Sequence, residues 1–192
     1  MYYHKTTVAA EQLLVMILKR AKEITKTGIK LFATPALDFF LNNEFKIKDF
    51  EKDNLVLNTF AKLDDHDIQT SVKVWEDCED KILARLCVNF NSRNLFKVKI
   101  QRKPFSKETI NKIKKVVQEK FKISLGETNY FVIADTISNN AYNPSSDKIN
   151  ILFKDGKLED ITKASDQLNL QVLSTKVEKY FLCYPREIDF DL

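Results

Sequence analysis

Apolar residues in the first ninety positions recur at intervals of three and four. Val8, Ala9, Leu13, Leu14, Ile17, Leu18, Ala21 and Ile24 place a helix over residues 6–26. Val15 and Met16 add apolar surface on a second side, so this helix is expected to pack against several others or to leave an apolar patch open. Gly28 is a stop signal, and Thr34-Pro35 suits the start of a second helix that presents Leu37, Phe40 and Leu41. Residues 47–62 read as one or two short helices carrying Phe50, Leu55, Val56 and Phe60. Asp64 or Asp65 caps the next helix, with Ile68, Val72 and Trp75 inward, and a further helix is predicted from about Asp77 to Phe90.

The period changes at Arg93. Leu95 to Ile100 alternates as a strand, Pro104 ends it, and Ser106 caps a helix with Ile110, Ile113, Val116, Val117 and Phe121 on one stripe. Strands are predicted over Tyr130–Ile137 and Ile149–Phe153, the second closed by Asp155-Gly156, with a turn segment over Asn139–Ser146. A short helix begins at Asp160-Ile161, and Leu173–Tyr184 forms a last strand. The fold class is therefore α+β. A helical region spans 1–92, and a small mixed subdomain of order near β-α-β-β-α-β spans 93–192.

Composition narrows the chemistry. The chain has 192 residues but only three glycines, Gly28, Gly126 and Gly156, each standing alone, which excludes a glycine-rich phosphate loop. Two histidines, His4 and His66, exclude a site of three imidazoles, and no Gly-x-Ser-x-Gly elbow is present. Cys78, Cys87 and Cys183 fit no zinc spacing and read as buried reduced thiols of a cytoplasmic protein. No apolar run reaches bilayer length and no signal peptide is read, so no membrane partner is expected. Net charge is +4, yet residues 93–122 alone carry +9 and the remainder −5. Such a stretch suits phosphate, nucleic acid or an acidic partner, and equally a solvated lysine face.

His66-Asp67 could offer two ligands to a divalent ion, but Asp64-Asp65-His66-Asp67 sits at a helix start, where acids are favoured anyway. The helix-cap reading is preferred, and no metal site is assigned. Glu76-Asp77 and Glu79-Asp80 read as solvated helix surface. At the start of the chain, Tyr2-Tyr3-His4-Lys5 combines phosphate donors with aromatic rings.

Several strings together resemble the C-terminal half of a bacterial HD-domain phosphohydrolase of the deoxynucleoside-triphosphate triphosphohydrolase kind. They are Tyr3-His4-Lys5-Thr6 with Ala9-Ala10-Glu11, Leu31 to Leu37, Phe60 to Ile68, Trp75 with Asp80 to Leu83, Arg93 to Lys97, Ile149 to Gly156, and Tyr184-Pro185-Arg186. In that family the metal-binding histidines and aspartates lie upstream of the first of these strings. The resemblance therefore implies a non-catalytic C-terminal region, inactive alone, with no cofactor of its own and with a divalent metal in a separate N-terminal HD lobe. It further implies that His4, Lys5, Arg93 and Lys97 lie at an effector nucleotide site, and that Tyr2 is the aromatic beside the substrate pocket. The expected partners are that lobe, a nucleotide effector and further copies in a homo-oligomer. The competing reading is a stand-alone module binding single-stranded nucleic acid or protein through residues 93–122. Only Phe96, Phe105 and Phe121 are available there for stacking.

Overall fold

The computed structural model describes residues 4–139, 149–161 and 177–190. Helix α1 runs Lys5–Thr25, followed by α2 (Pro35–Asn42), α3 (Ile47–Lys52), α4 (Asn54–Phe60), α5 (Asp65–Val74) and α6 (Lys81–Asn91). Strand β1 (Lys97–Gln101) leads into α7 (Lys107–Phe121), then β2 (Ile133–Asn139), β3 (Asn150–Leu152), β4 (Leu158–Asp160) and β5 (Val177–Tyr184). Helices thus fill the first half and antiparallel strands enter the second, as the change of period at Arg93 predicts.

Helix boundaries follow their caps. Asp64 accepts from the His66 and Asp67 backbone N–H groups, while Asp67 reaches back to the Asp64 N–H at 2.8 Å. This reciprocal box fixes the start of α5 and occupies Asp67 in holding the helix end. Ser106 accepts from the Thr109 N–H and opens α7. Gly28, at φ 91°, takes the left-handed turn after α1 that a side chain disfavours.

Three boundaries differ from the sequence reading. The helix expected from Asp77 starts at Lys81, because Asp80 turns its carboxylate onto the Leu83 N–H at 2.8 Å as the cap, and Trp75–Asp77 is a separate 3₁₀ turn. Glu127–Tyr130 is also a 3₁₀ turn, so β2 begins at Ile133 rather than Tyr130. After Gly156 the chain returns as β4, which ends at Asp160, and the expected helix begins at Ile161. The turn expected over 139–146 and the helix after Ile161 fall almost wholly outside the described residues.

The main sheet has the order β1-β5-β2, all antiparallel, with the last strand in the centre. Val98 faces Cys183 and Lys97 faces Tyr184 across one ladder; Ile133 faces Cys183 across the other. One core joins both halves. It holds Val8, Leu13, Ile17 and Ala21 of α1, Leu83 and Leu86 of α6, Phe96 and Val98, Ile113 and Val117 of α7, and Leu182 and Tyr184 of β5. Helix α1 packs on α6 and on β1 alike. Its second apolar side is partly covered too, since Leu14, Met16 and Leu18 pack against the core and Val15 alone of that group is strongly exposed. More open apolar surface lies on α3 and α4, at Ile47, Leu55, Leu57 and Phe60. There Phe39, Phe40, Phe45, Phe50 and Phe60 form a separate aromatic cluster with ring centroids 5.0 to 6.4 Å apart.

Polar contacts tie the two halves together. Arg20 of α1 grips Asp80 with two hydrogen bonds, 3.0 and 2.6 Å long. The same guanidinium lies 5.2 Å from the centroid of the Tyr130 ring, whose hydroxyl donates to Glu23 one turn further along α1. Arg85 of α6 sits 3.7 Å from the centroid of Phe121 at the end of α7. Burial works against the Asp80 charge, but Arg20 and the Leu83 N–H outweigh it and hold the carboxyl below its ordinary range. Desolvation raises all three thiols: Cys183 to about 12, Cys87 also far up, and half-buried Cys78 in the same direction.

Asp80→Ala removes a cap and leaves Arg20 unpaired, so it is expected to cost about 3 kcal/mol in urea unfolding. Asp80→Asn, which keeps an acceptor for the Leu83 N–H, is expected to cost about 1 kcal/mol less. Because the folded-state pKa of Asp80 is depressed, its stabilisation is complete above the unfolded carboxylate pKa of about 3.9. It fades as pH falls through the folded value, so the gap between wild type and Asp80→Asn should narrow in acid. A gap that widens in acid would contradict the assignment. For the thiols, mass spectrometry after maleimide treatment of native protein should show Cys78 labelled first. Cys87 and Cys183 should react only as the chain unfolds.

Candidate anion-binding cleft

Four cations from three separate parts of the chain converge beside β1. Lys5 lies in the first turn of α1, Lys97 and Lys99 project from β1, and Arg186 follows β5. With Thr6 they line a cleft of about 500 Å³, and among the described residues no carboxylate lines it. Strand alternation explains the lysines: Phe96 and Val98 turn into the core, so Lys97 and Lys99 take the other face, as their spacing predicts. Lys97 stands opposite Tyr184 in the ladder, its Nζ 5.8 Å from the centroid of that wholly buried ring. Arg186 is pinned by its Nε, which donates to the Leu95 carbonyl oxygen at 2.9 Å.

The end of α1 adds to the field. His4 is its N-cap but makes no side-chain cap hydrogen bond, and the first turn carries no acidic residue. Among the described residues no carboxylate accepts from the first backbone N–H groups of the helix, and the positive end of the helix dipole lies at Lys5 and Thr6.

Of the residues singled out from the sequence, the cleft brings together Lys5 and Lys97. His4 is exposed at the adjoining cap and does not line it. Arg93 is exposed and stands outside the lining as well. Its backbone is left-handed, at φ 56°, and its N–H donates to the Phe90 carbonyl oxygen at 3.2 Å. Position 93 closes α6 through its main chain. Tyr2 lies outside the described residues. Lys99 and Arg186 were not singled out. Lys99 is one of eleven cations in the basic stretch, and Arg186 appeared only within Tyr184-Pro185-Arg186; their convergence depends on strand register.

Neither His66 nor the acidic pairs Glu76-Asp77 and Glu79-Asp80, in the 3₁₀ turn and the link to α6, join the cleft. The His66 side chain is 92% exposed, with its Nδ1 3.6 Å from Asp64. Among the described residues, no group of three or more His, Cys, Asp or Glu side chains is placed to hold a metal ion. No helix among them is long and apolar enough to cross a membrane.

No family model matches the chain. It is 26% identical over 197 residues to YwfO, an uncharacterized protein of Bacillus subtilis (strain 168), covering 99% of this chain and 42% of that protein. It also superimposes on the crystal structure of a phosphohydrolase from Bacteroides thetaiotaomicron VPI-5482 with a TM-score of 0.79 and 43% identity. That match covers 97% of this chain and 46% of the phosphohydrolase. The chain thus spans less than half the length of either protein, and in sequence and fold it is similar to part of a phosphohydrolase.

Proposed function

We propose that this chain is the non-catalytic C-terminal region of a metal-dependent HD-family phosphohydrolase acting on (deoxy)nucleotides, and that its basic cleft holds the phosphates of a regulatory nucleotide. The observation that carries the regulatory part is the convergence of Lys5, Lys97, Lys99 and Arg186 with no carboxylate among the described residues that line the cleft. Lysine supplies point charge, and the arginine fork adds directional donors to phosphate oxygens. Similarity to part of a longer phosphohydrolase supports the first half of the reading. In this reading the divalent metal belongs to a separate HD lobe, and Asp67 serves as the α5 cap. The exposed apolar residues Ile47, Leu55, Leu57 and Phe60 suit coverage by that lobe. Assembly as a cytoplasmic homo-oligomer belongs to the same proposal.

The nucleic-acid alternative gains less support. A track for single strands needs aligned cations and exposed rings. Several lysines of α7 are engaged locally: Lys112 with Glu108, Lys114 with Asn129, and Lys120 with the Glu187 carbonyl oxygen. Phe96 is buried, and Phe121 packs against Phe131 and Arg85.

Inorganic tripolyphosphate tests the cleft directly by calorimetry on the 192-residue chain. Lys97→Ala and Lys5→Ala are each expected to weaken binding by roughly tenfold, the value of a charge-assisted contact. Affinity should also fall with added salt. Arg93→Ala should leave it unchanged. Binding that survives loss of Lys97 but not of Arg93 would relocate the site; no binding at all would remove it.

A further inference from the structure

The β3–β4 hairpin is too small to stand alone. Each strand is three residues long, and among the described residues the two pair only with each other. Leu152 and Leu158, which face each other across the ladder, are 67% and 60% exposed. An isolated two-stranded ribbon is marginal in water, and further strands or an apolar cover stabilise it.

The ladder shows which groups point outward. The Phe153 N–H donates to the Lys157 carbonyl oxygen at 2.8 Å, and the Ile161 N–H to that of Ile149 at 2.9 Å. Backbone groups alternate along an antiparallel strand, so Lys157, Glu159 and Ile161 turn theirs inward to β3, and Leu158 turns its N–H and C=O to the outer edge. The Leu158 side chain shares a face with Leu152. Lys157 and Glu159 share the opposite face, where the Lys157 Nζ lies 2.8 Å from the Glu159 carboxylate. The outer edge of β4 thus reads lysine, leucine, glutamate, with the outward-bonding residue in the middle.

That order complements itself. When a second β4 runs antiparallel about a two-fold axis at Leu158, each Leu158 exchanges both main-chain hydrogen bonds with its counterpart. Lys157 then faces the partner's Glu159, and Glu159 faces the partner's Lys157. Both charge pairs fall at non-hydrogen-bonded positions, where opposed side chains approach closest. Moving the axis by one residue opposes lysine with lysine or glutamate with glutamate, so charge selects a single register. On the other face, Leu152 and Leu158 of the two copies form one continuous row.

We propose that the outer edge of β4 is a self-association surface, at which a second copy of this chain adds its own β4 to give a four-stranded antiparallel sheet of order β3-β4-β4-β3. This rests on the homo-oligomer reading given above and names its contact, and the test separates the two.

Cysteine cross-linking under mild oxidation, in a Cys78→Ser background, reads the geometry. Across the axis the two Leu158 Cα atoms lie about 5.5 Å apart, within disulfide reach. The two Leu152 positions lie about 14 Å apart, three strand spacings. Leu158→Cys should therefore link into dimers, and Leu152→Cys, equally exposed, should not. Sedimentation equilibrium on the 192-residue chain should show a dimer that dissociates on dilution, as so small a contact requires. Leu158→Pro removes the outward donor and leaves the ladder bonds to β3 in place, so it should weaken the dimer by roughly tenfold. Lys157→Glu should weaken it too, and adding Glu159→Lys should restore it. Equal linking at both cysteine positions overturns the proposal. A chain that assembles but ignores these changes overturns the β4 contact and leaves the homo-oligomer standing. A chain still monomeric at millimolar concentration overturns both.

Discussion

Arg20 and Asp80 are sixty positions apart in the chain and meet in a partly buried, two-pronged ion pair. Much of the architecture follows from that contact. Asp80 follows the Trp75–Asp77 3₁₀ turn and caps α6, so the residue that starts α6 also fixes its distance from α1. Arg20, held on one side by Asp80, presents its other surface to Tyr130, and Tyr130 returns to α1 through Glu23. The helical half and the strand-containing half are thereby locked onto the same helix. A charge pair with most of its surface removed from water is costly when one member is missing, which makes this joint all-or-none. With α1 set in this way, its first turn falls beside β1, and Lys5 comes within the cleft of Lys97 and Lys99.

How much of this was legible depended on how local each signal is. The stripe of α1, the Pro35 start of α2 and the Ser106 cap of α7 are written within a few residues, and the helices follow them. Asp77 to Asp80 misleads because a run of acids reads as exposed helix surface. Asp80 is held in place as a cap by an arginine sixty positions earlier in the chain, which no local pattern reveals. The 3₁₀ turn before β2 is similar: Tyr130 has strong strand propensity, yet its hydroxyl is claimed by α1. Strand β4 was missed because three residues, Leu158 to Asp160, are too few to show a period.

The cleft was half legible. Alternation alone puts Lys97 and Lys99 on one face, and a likeness to known sequences pointed to Lys5 and Lys97. Arg93, equally basic and four positions away, is drawn off because the chain must turn sharply out of α6 there. Arg186 enters from the other end of the chain, brought in by the antiparallel pairing of β1 with β5. A cleft assembled from Lys5 to Arg186 depends on register, and register is a property of the folded sheet.

The place of β5 in the middle of the sheet has a consequence for how the chain is made. Among the described residues β1 and β2 do not pair with each other; both pair with a strand that leaves the ribosome after them. Lys97 waits for Tyr184, and the core that Leu13 and Ile17 enter is not closed until Leu182 arrives. During synthesis the helices can form as they emerge, while both future edge strands stay unpaired, one of them bordered by lysines that discourage wrong partners. Folding of the second half is thus a late, long-range event whose loop-closure cost is met only once the C-terminal strand is present.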